Sequence, residues 1–261
     1  MTGANGQHSM PAALAVVHLT TVHDRDDVRI FHKECRSLVA AGYQVTLIVA
    51  DGLGANERDG VHIVDMGARP RHRLRRIALQ PWRAWLAVRR VGPAVVHFHD
   101  PELLPIGLVM ALGGLAVVYD AHEDVPQQIL SKYWLPAKLR PLVAWLFARL
   151  EAFVVRRLAG VVVATPPMLP RFAALGCDAV SVRNFPLLEE FAEPADAPRQ
   201  SRTIVYVGGL TRVRGVLRLV EALALMPGVQ LLLCGRFADD GAEAACRASP
   251  GWKQVHYLGH L

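Results

Sequence analysis

Val95-Val96-His97-Phe98-His99-Asp100-Pro101-Glu102 begins as an apolar strand and stops in two histidines, two carboxylates and a proline. Val117-Val118-Tyr119-Asp120-Ala121-His122-Glu123-Asp124 repeats that design one crossover later. Short apolar runs of this kind fit strands buried on both faces, as in a parallel sheet. Strands that finish in titratable groups place those groups at the carboxyl edge of the sheet, where open α/β sheets bind ligands. These two stretches set the expected fold class and the edge at which a site should lie.

On the amino-terminal side, Ala12 to Leu19, Gln44 to Ala50 and Val61 to Val64 read as strands. The polar loop Thr20 to Asp27 leads into a helix whose stripe is Val28, Phe31, Cys35, Leu38 and Val39, stopped by Gly42. A basic run, Arg69 to Arg76, opens a helix reaching about Arg90 that carries Trp82 and Trp85. On the carboxyl side come a helix over Leu103 to Leu112 and a strand over Leu115 to Tyr119. A mixed segment follows, anchored by Ile129, Tyr133, Trp134 and Leu135, then a long helix over Leu139 to Leu158. Val161 to Ala164 and Ala179 to Val182 read as strands around a helix that starts at Pro166-Pro167. Residues 189–201, rich in proline, alanine and acid, form a linker. Thr203 to Val207, Val216 to Leu225, Val229 to Cys234, Ala238 to Ala248 and Gln254 to Leu258 then read strand-helix-strand-helix-strand. The expectation is an α/β chain of two Rossmann-like domains with parallel sheets: residues 1–188, and residues 202–261 as the first half of the second domain.

With 261 residues and 52% hydrophobic composition, global disorder is excluded. A formal net charge of +6 points to an anionic partner. Cys35, Cys177, Cys234 and Cys246 are scattered, which fits free thiols and a cytoplasmic setting better than a disulfide or zinc framework. Met1 to Met10 lacks the basic-then-apolar pattern of a signal peptide. Leu103 to Tyr119 is uncharged, but Pro105 and Gly113-Gly114 divide it, so a buried helix and strand are expected, not a membrane span. No nucleic-acid-binding module is visible, and no nucleic-acid partner is expected.

Three features could carry chemistry. The turn Val207-Gly208-Gly209-Leu210-Thr211-Arg212-Val213-Arg214-Gly215 joins a strand to a helix. Glycines allow close backbone approach, a helix N-terminus favours anions, and Arg212 and Arg214 add charge, so it reads as a diphosphate cradle. An ordinary strand-helix turn with solvated arginines is the plain alternative. Gly235-Arg236 ends the next strand at the same edge. Second, His97 and His99 project to the same side of their strand. His97 could be a hydrogen-bonded core histidine. His97, His99, Asp100, His122 and Asp124 could instead bind a metal, as in a metal-dependent hydrolase. The H-x-H-D run continues as Pro101-Glu102, not Asp-His, and no metal is expected. Third, residues 69–90 combine arginines with tryptophans, which suits an anionic membrane surface or a solvated basic helix.

The ordered set Val22 to Cys35, Val96 to Pro105, Tyr119 to Pro126, Val182 to Pro186 and Tyr206 to Leu210 with Arg214-Gly215 resembles the retaining family-4 glycosyltransferases of GT-B architecture, in their bacterial surface-polysaccharide branch. The resemblance implies transfer of a sugar from a nucleotide-diphosphate donor to a glycan or lipid-linked acceptor, with configuration retained and no metal or other cofactor. It implies that His122 contacts the donor sugar near the reaction centre. Gly208, Gly209, Arg212, Arg214, Gly235 and Arg236 would hold the donor phosphates. His23, Asp24, Arg29, His99, Asp100, Glu102, Glu123 and Asn184 would face substrate. Gly209 stands where many relatives carry arginine. The pair of glutamates that hold the donor's sugar and ribose in relatives lies beyond Leu261, so the chain is expected to be a fragment, inactive alone. A non-catalytic nucleotide-sugar-binding module is the alternative. A cytoplasmic protein, in contact with the inner face of the plasma membrane, is the expected setting.

Overall fold

The computed structural model describes residues 13–70, 72–132, 135–188, 202–238 and 240–260. Met1 to Met10, Tyr133, Trp134 and the expected linker 189–201 lie outside the described residues. The chain divides into two compact units, Met1–Glu190 and Phe191–Leu261.

In the first unit β1 (Ala15–Leu19) leads through a polar loop to a π-helical segment, Val28–Cys35, which runs into α1 (Arg36–Ala40). Then follow β2 (Gln44–Val49), β3 (Asn56–Arg58), β4 (Val61–Asp65), α2 (Arg73–Val91), β5 (Val95–Phe98) and α3 (Leu104–Leu112). β6 (Ala116–Ala121), α4 (Val125–Ser131), α5 (Arg140–Val155), β7 (Gly160–Val163), α6 (Leu169–Ala173) and β8 (Ala179–Ser181) complete it. The sheet order is β3-β4-β2-β1-β5-β6-β7-β8, parallel except for the antiparallel β3–β4 pair. The parallel strands step outward from β1 through β2 to β4, with β3 added outside β4 as a hairpin, and from β5 through β6 and β7 to β8 in the other direction. The carboxyl ends of β1 and β5 therefore flank the topological switch point, where doubly wound sheets bind ligands.

The sheet buries different chemistry on its two faces. Val17, Leu19, Val96, Phe98, Val117 and Tyr119 enter one apolar core with Ala84 and Val88 of α2 and Val154 and Val155 of α5. The alternate residues His18, His97, His99 and Asp120 point to the opposite face. There the π-helical segment covers them and adds Ile30, Phe31 and Cys35 to a second core with Val45, Leu47, Val61 and Ile63.

Two local expectations change. Val28 is 51% exposed and leaves the buried stripe, while Ile30 joins it. Wider i→i+5 winding in this segment shifts the inward face from the α-helical phase. The strand β3 was not expected. Its Asn-Glu-Arg sequence is polar, and it pairs with β4 through a turn at Asp59, at φ 51°, and Gly60, at φ 75°. α4 also arises where a mixed segment was expected, with the Asp124 carboxylate accepting from the Gln127 N–H at 3.3 Å and Pro126 in its first turn.

One ion pair braces the loops beside β2. Arg25 Nε and Nη2 donate to Asp51 Oδ2 and Oδ1 at 2.6 and 2.7 Å, and Nη1 donates to Asn56 Oδ1 at 2.9 Å. The Arg25 side chain is 9% exposed and that of Asp51 7%. The Arg25 guanidinium holds the Asp51 carboxyl below its usual value. A depressed folded pKa adds stability above the unfolded value near 4 and loses it as pH falls through the folded value. Asp51→Asn should therefore destabilise the first unit by about 2 kcal/mol at neutral pH. That gap should narrow in urea unfolding at an acid pH below about 4. An equal gap at both pH values would show that the pair contributes by shape and not by charge.

In the second unit β9 (Thr203–Val207), α7 (Val216–Leu223), β10 (Gln230–Cys234), α8 (Asp240–Ala248) and β11 (Val255–Gly259) form a parallel sheet of order β11-β10-β9. Leu210, Val216, Val220, Leu223, Leu231, Leu233 and Cys246 make its core.

Candidate functional site

Register builds the first site. His18 of β1 lies beside His97 of β5, and Phe98 lies beside Tyr119 of β6, so His99 falls beside Asp120 one step further. His18 Nδ1 and His99 Nε2 share a hydrogen bond of 3.0 Å, and His99 Nδ1 lies 3.1 Å from Asp120 Oδ2. Arg29 closes the layer from the π-helical segment. Its Nε and Nη2 donate to the two Asp120 oxygens at 2.8 and 3.0 Å, and Nη1 donates to the Val182 carbonyl at 2.8 Å. Glu34, one helical turn on, sends Oε2 to 3.7 Å from His18 Nδ1 and 3.8 Å from His99 Nε2.

Burial and charge pull these groups apart. Burial holds His18 well below its ordinary pKa and brings His97 down to about 3. It would lower His99 as well, but the Asp120 hydrogen bond and the charge of Glu34 outweigh it and raise that group. Burial pushes Glu34 up to about 7. Asp120 would also rise on burial, yet His99 and Arg29 hold it far below the usual carboxylate range.

Asp100 points to the other side and organises the loop after β1. Its Oδ2 accepts from Thr20 Oγ1 at 2.8 Å, Thr21 N at 2.6 Å and Val22 N at 3.2 Å, while Oδ1 lies 3.2 Å from His23 Nδ1. Burial alone would raise its pKa, but His23 and the loop donors bring it down to about 2. The partner His23 is raised by the same contact. Glu102 accepts from Thr21 Oγ1 at 2.7 Å and from Arg76 Nη2 at 3.0 Å. Arg69 donates to Asp24 and to the Val22 carbonyl. Two arginines of the basic run thus brace this loop. His122 follows β6 and sets its half-buried ring edge-on to His23, with centroids 5.2 Å apart.

Of the residues expected to face substrate, His23, Asp100 and Glu102 gather around this loop, with His122 beside them. Arg29, His99 and Asp100 are buried and fully engaged with protein partners. Asp24 and Glu123 are exposed, and exposed Asn184 accepts from Lys33 Nζ at 2.6 Å. The metal set considered from sequence does not assemble. Asp100 turns away from His97 and His99, and Asp124 caps α4 and meets Arg171. His18 and Glu34 join His97 and His99 instead, with one donor atom from each within 4.8 Å of the others. Neither was expected. His18 is hidden in an apolar run, and Glu34 faces inward through the π-helical winding.

The second unit gathers most of the expected phosphate residues. Gly208, Gly209, Gly235 and Arg236 line a cavity of about 360 Å³ with Val207, Cys234 and His260. Gly208 and Gly235 have φ of 142° and 146°, and a Cβ on Gly235 would lie 1.9 Å from the Gly208 carbonyl oxygen. Only glycine fits there, because the two strand ends meet backbone to backbone. Arg214 folds back over this turn. Its Nη1 lies 3.3 Å from where a Gly208 Cβ would stand. Arg212 and Arg214 are both exposed, and neither is among the residues that line the cavity. Gly215, at φ 76°, caps the start of α7 behind the turn.

A family model described as a glycosyl transferase 4-like domain matches residues 28–187. No curated protein matches the chain in sequence. Among solved structures, sucrose-phosphate synthase from Thermosynechococcus elongatus is 17% identical with a TM-score of 0.74, covering 95% of this chain and 71% of that one. WaaG, a glycosyltransferase involved in lipopolysaccharide biosynthesis, is 13% identical with a TM-score of 0.67, covering 95% and 70%. HepE from Anabaena, solved with UDP and glucose, is 14% identical with a TM-score of 0.62, covering 94% and 69%. At these identities the likeness is one of fold, and the fold is that of GT-B glycosyltransferases.

Proposed function

The chain belongs to the glycosyl transferase 4-like domain family, and on that premise we propose that it moves a sugar from a nucleotide-diphosphate donor to a glycan or lipid-linked acceptor. The transfer keeps the anomeric configuration and serves surface-polysaccharide synthesis. The observation that carries the donor half of this reading is the glycine-lined cavity that also holds Arg236, with Arg214 close to the Gly208 turn at its edge, which suits a diphosphate. The Anabaena neighbour solved with UDP and glucose supports a nucleotide-sugar donor.

Breaking a glycosyl-diphosphate bond leaves negative charge on the departing phosphate and positive charge on the sugar. Arg214, Arg236 and the N-terminus of α7 meet the first charge, and no metal is assigned to this step. His122 is assigned to the donor sugar, beside the carbon that reacts. His23, Asp24, Glu102, Glu123 and Asn184 are assigned to the substrate side. Asp100 holds His23 in place from beneath, while Arg29 and His99 fix Asp120 under the same edge. Exposed Ile77, Leu79 and Trp82 of α2, among Arg75, Arg83, Arg89 and Arg90, are assigned to an anionic membrane surface on the cytoplasmic side. Among the described residues no helix is long and apolar enough to cross a membrane.

Titration calorimetry with nucleoside diphosphates tests the donor half. Binding is expected, and Arg214→Ala should weaken it about 10- to 100-fold, the effect of one charge-assisted contact. Unchanged affinity in that variant would remove Arg214 from the phosphate site.

A further inference from the structure

We infer that His18, Glu34, His97 and His99 form a zinc site that pins the π-helical segment onto the sheet. Glu34 Oε2 lies 3.7 Å from His18 Nδ1, 4.0 Å from His97 Nδ1 and 3.8 Å from His99 Nε2. His18 Nδ1 and His99 Nε2 are 3.0 Å apart. Four ligands around one zinc at bonds of about 2.0–2.1 Å stand roughly 3.3 Å from one another. The observed separations run from 3.0 Å to at most 4.8 Å, so side-chain rotations that draw the wider pairs in bring the four atoms onto one ion.

The chemistry of the donor set favours zinc. Three imidazole nitrogens and one carboxylate oxygen suit a tetrahedral zinc ion, and four protein ligands leave no open position, as in structural sites. Neither Glu34 oxygen has a hydrogen-bond partner, although Arg29 Nε lies 3.1 Å from Oε1. Buried acceptors of this kind are normally satisfied, and a cation on Oε2 would do so. The outer shell is built at His99, whereas Nε2 of His18 and of His97 has no hydrogen-bond partner among the described residues. Asp120 holds His99 by its other nitrogen, the carboxylate–histidine–metal arrangement, and Arg29 fixes Asp120 in turn. A cavity of about 460 Å³, lined by His18, Glu34 and His97 among others, gives an ion its way in.

The site lies beneath the reacting edge and is fully coordinated, so the ion is structural and takes no part in transfer. It ties β1, β5 and the helix bearing Glu34 into one unit. The test uses the whole chain, freed of metal by chelation and then titrated with zinc or cobalt alone. One equivalent should bind, raise the thermal unfolding midpoint and, as cobalt, give the strong visible absorption of a four-coordinate ion. Glu34→Gln and His97→Ala should each weaken zinc binding at least about 10-fold. Absence of binding and of any thermal shift in the wild-type chain would overturn the assignment, whether or not the variants fold. So would wild-type affinity in both variants, or the weak spectrum of six-coordinate cobalt.

Discussion

Replacing Arg29 by alanine is expected to destabilise the first unit by about 3–5 kcal/mol. The size follows from what remains, not from what is removed. Asp120 is fully buried, and Arg29 supplies two of its hydrogen bonds. Without the guanidinium a carboxylate stays inside with only His99 to meet it, and the Val182 carbonyl loses its donor. Breaking one partner of a buried pair is far more costly than a surface pair would be. Equilibrium unfolding in urea reads the loss directly. Arg29→Lys should recover only part of it, because an ammonium cannot make the two-pronged contact. A loss under about 1 kcal/mol would mean that water or a rotated His99 satisfies Asp120.

His122→Ala should lower turnover by about 10²–10⁴-fold while leaving the unfolding midpoint close to that of the parent protein. His122 is half-buried and meets the His23 ring edge-on, so its loss removes little packing. The group sits just past β6, at the edge where the sheet presents its chemistry. The assay is release of nucleoside diphosphate from a nucleotide sugar, in a preparation that transfers. A normal rate in the alanine variant would move the assignment off this residue. A fall in stability matching the fall in rate would make His122 a packing residue.

Much of the architecture could be read from the residues because parallel strands buried on both faces leave short, mostly apolar runs with at most two polar residues in each. β1, β2, β5, β6 and β7 all show this pattern. The polar β3 does not, since its contribution is a hairpin turn and not a buried side chain. The glycine turns after β9 and β10 were legible for a backbone reason, as Gly208 and Gly235 take φ values that side chains rarely adopt and a Cβ on Gly235 would strike the backbone. The buried polar layer was harder. His97 and His99 were visible as a pair, but their partners His18 and Glu34 lie 79 and 63 residues before His97 in the chain and meet it only through register and the π-helical winding. Asp100 illustrates the same limit. Its place in the H-x-H-D run suggested a ligand beside His99, yet strand alternation turns it to the opposite face, toward Thr20 and Thr21.

That position of Asp100 has an entropic consequence. Fixing one residue's backbone carries roughly 1–2 kcal/mol of lost freedom at room temperature. A free loop imposes that loss on the ligand that orders it, residue by residue, and weakens binding accordingly. Here a single ionised carboxylate gathers the loop's hydroxyls and N–H groups at folding, before any ligand arrives. A molecule that meets Thr20 to His23 encounters a surface already frozen, and its affinity reports its contacts with little deduction for ordering the protein.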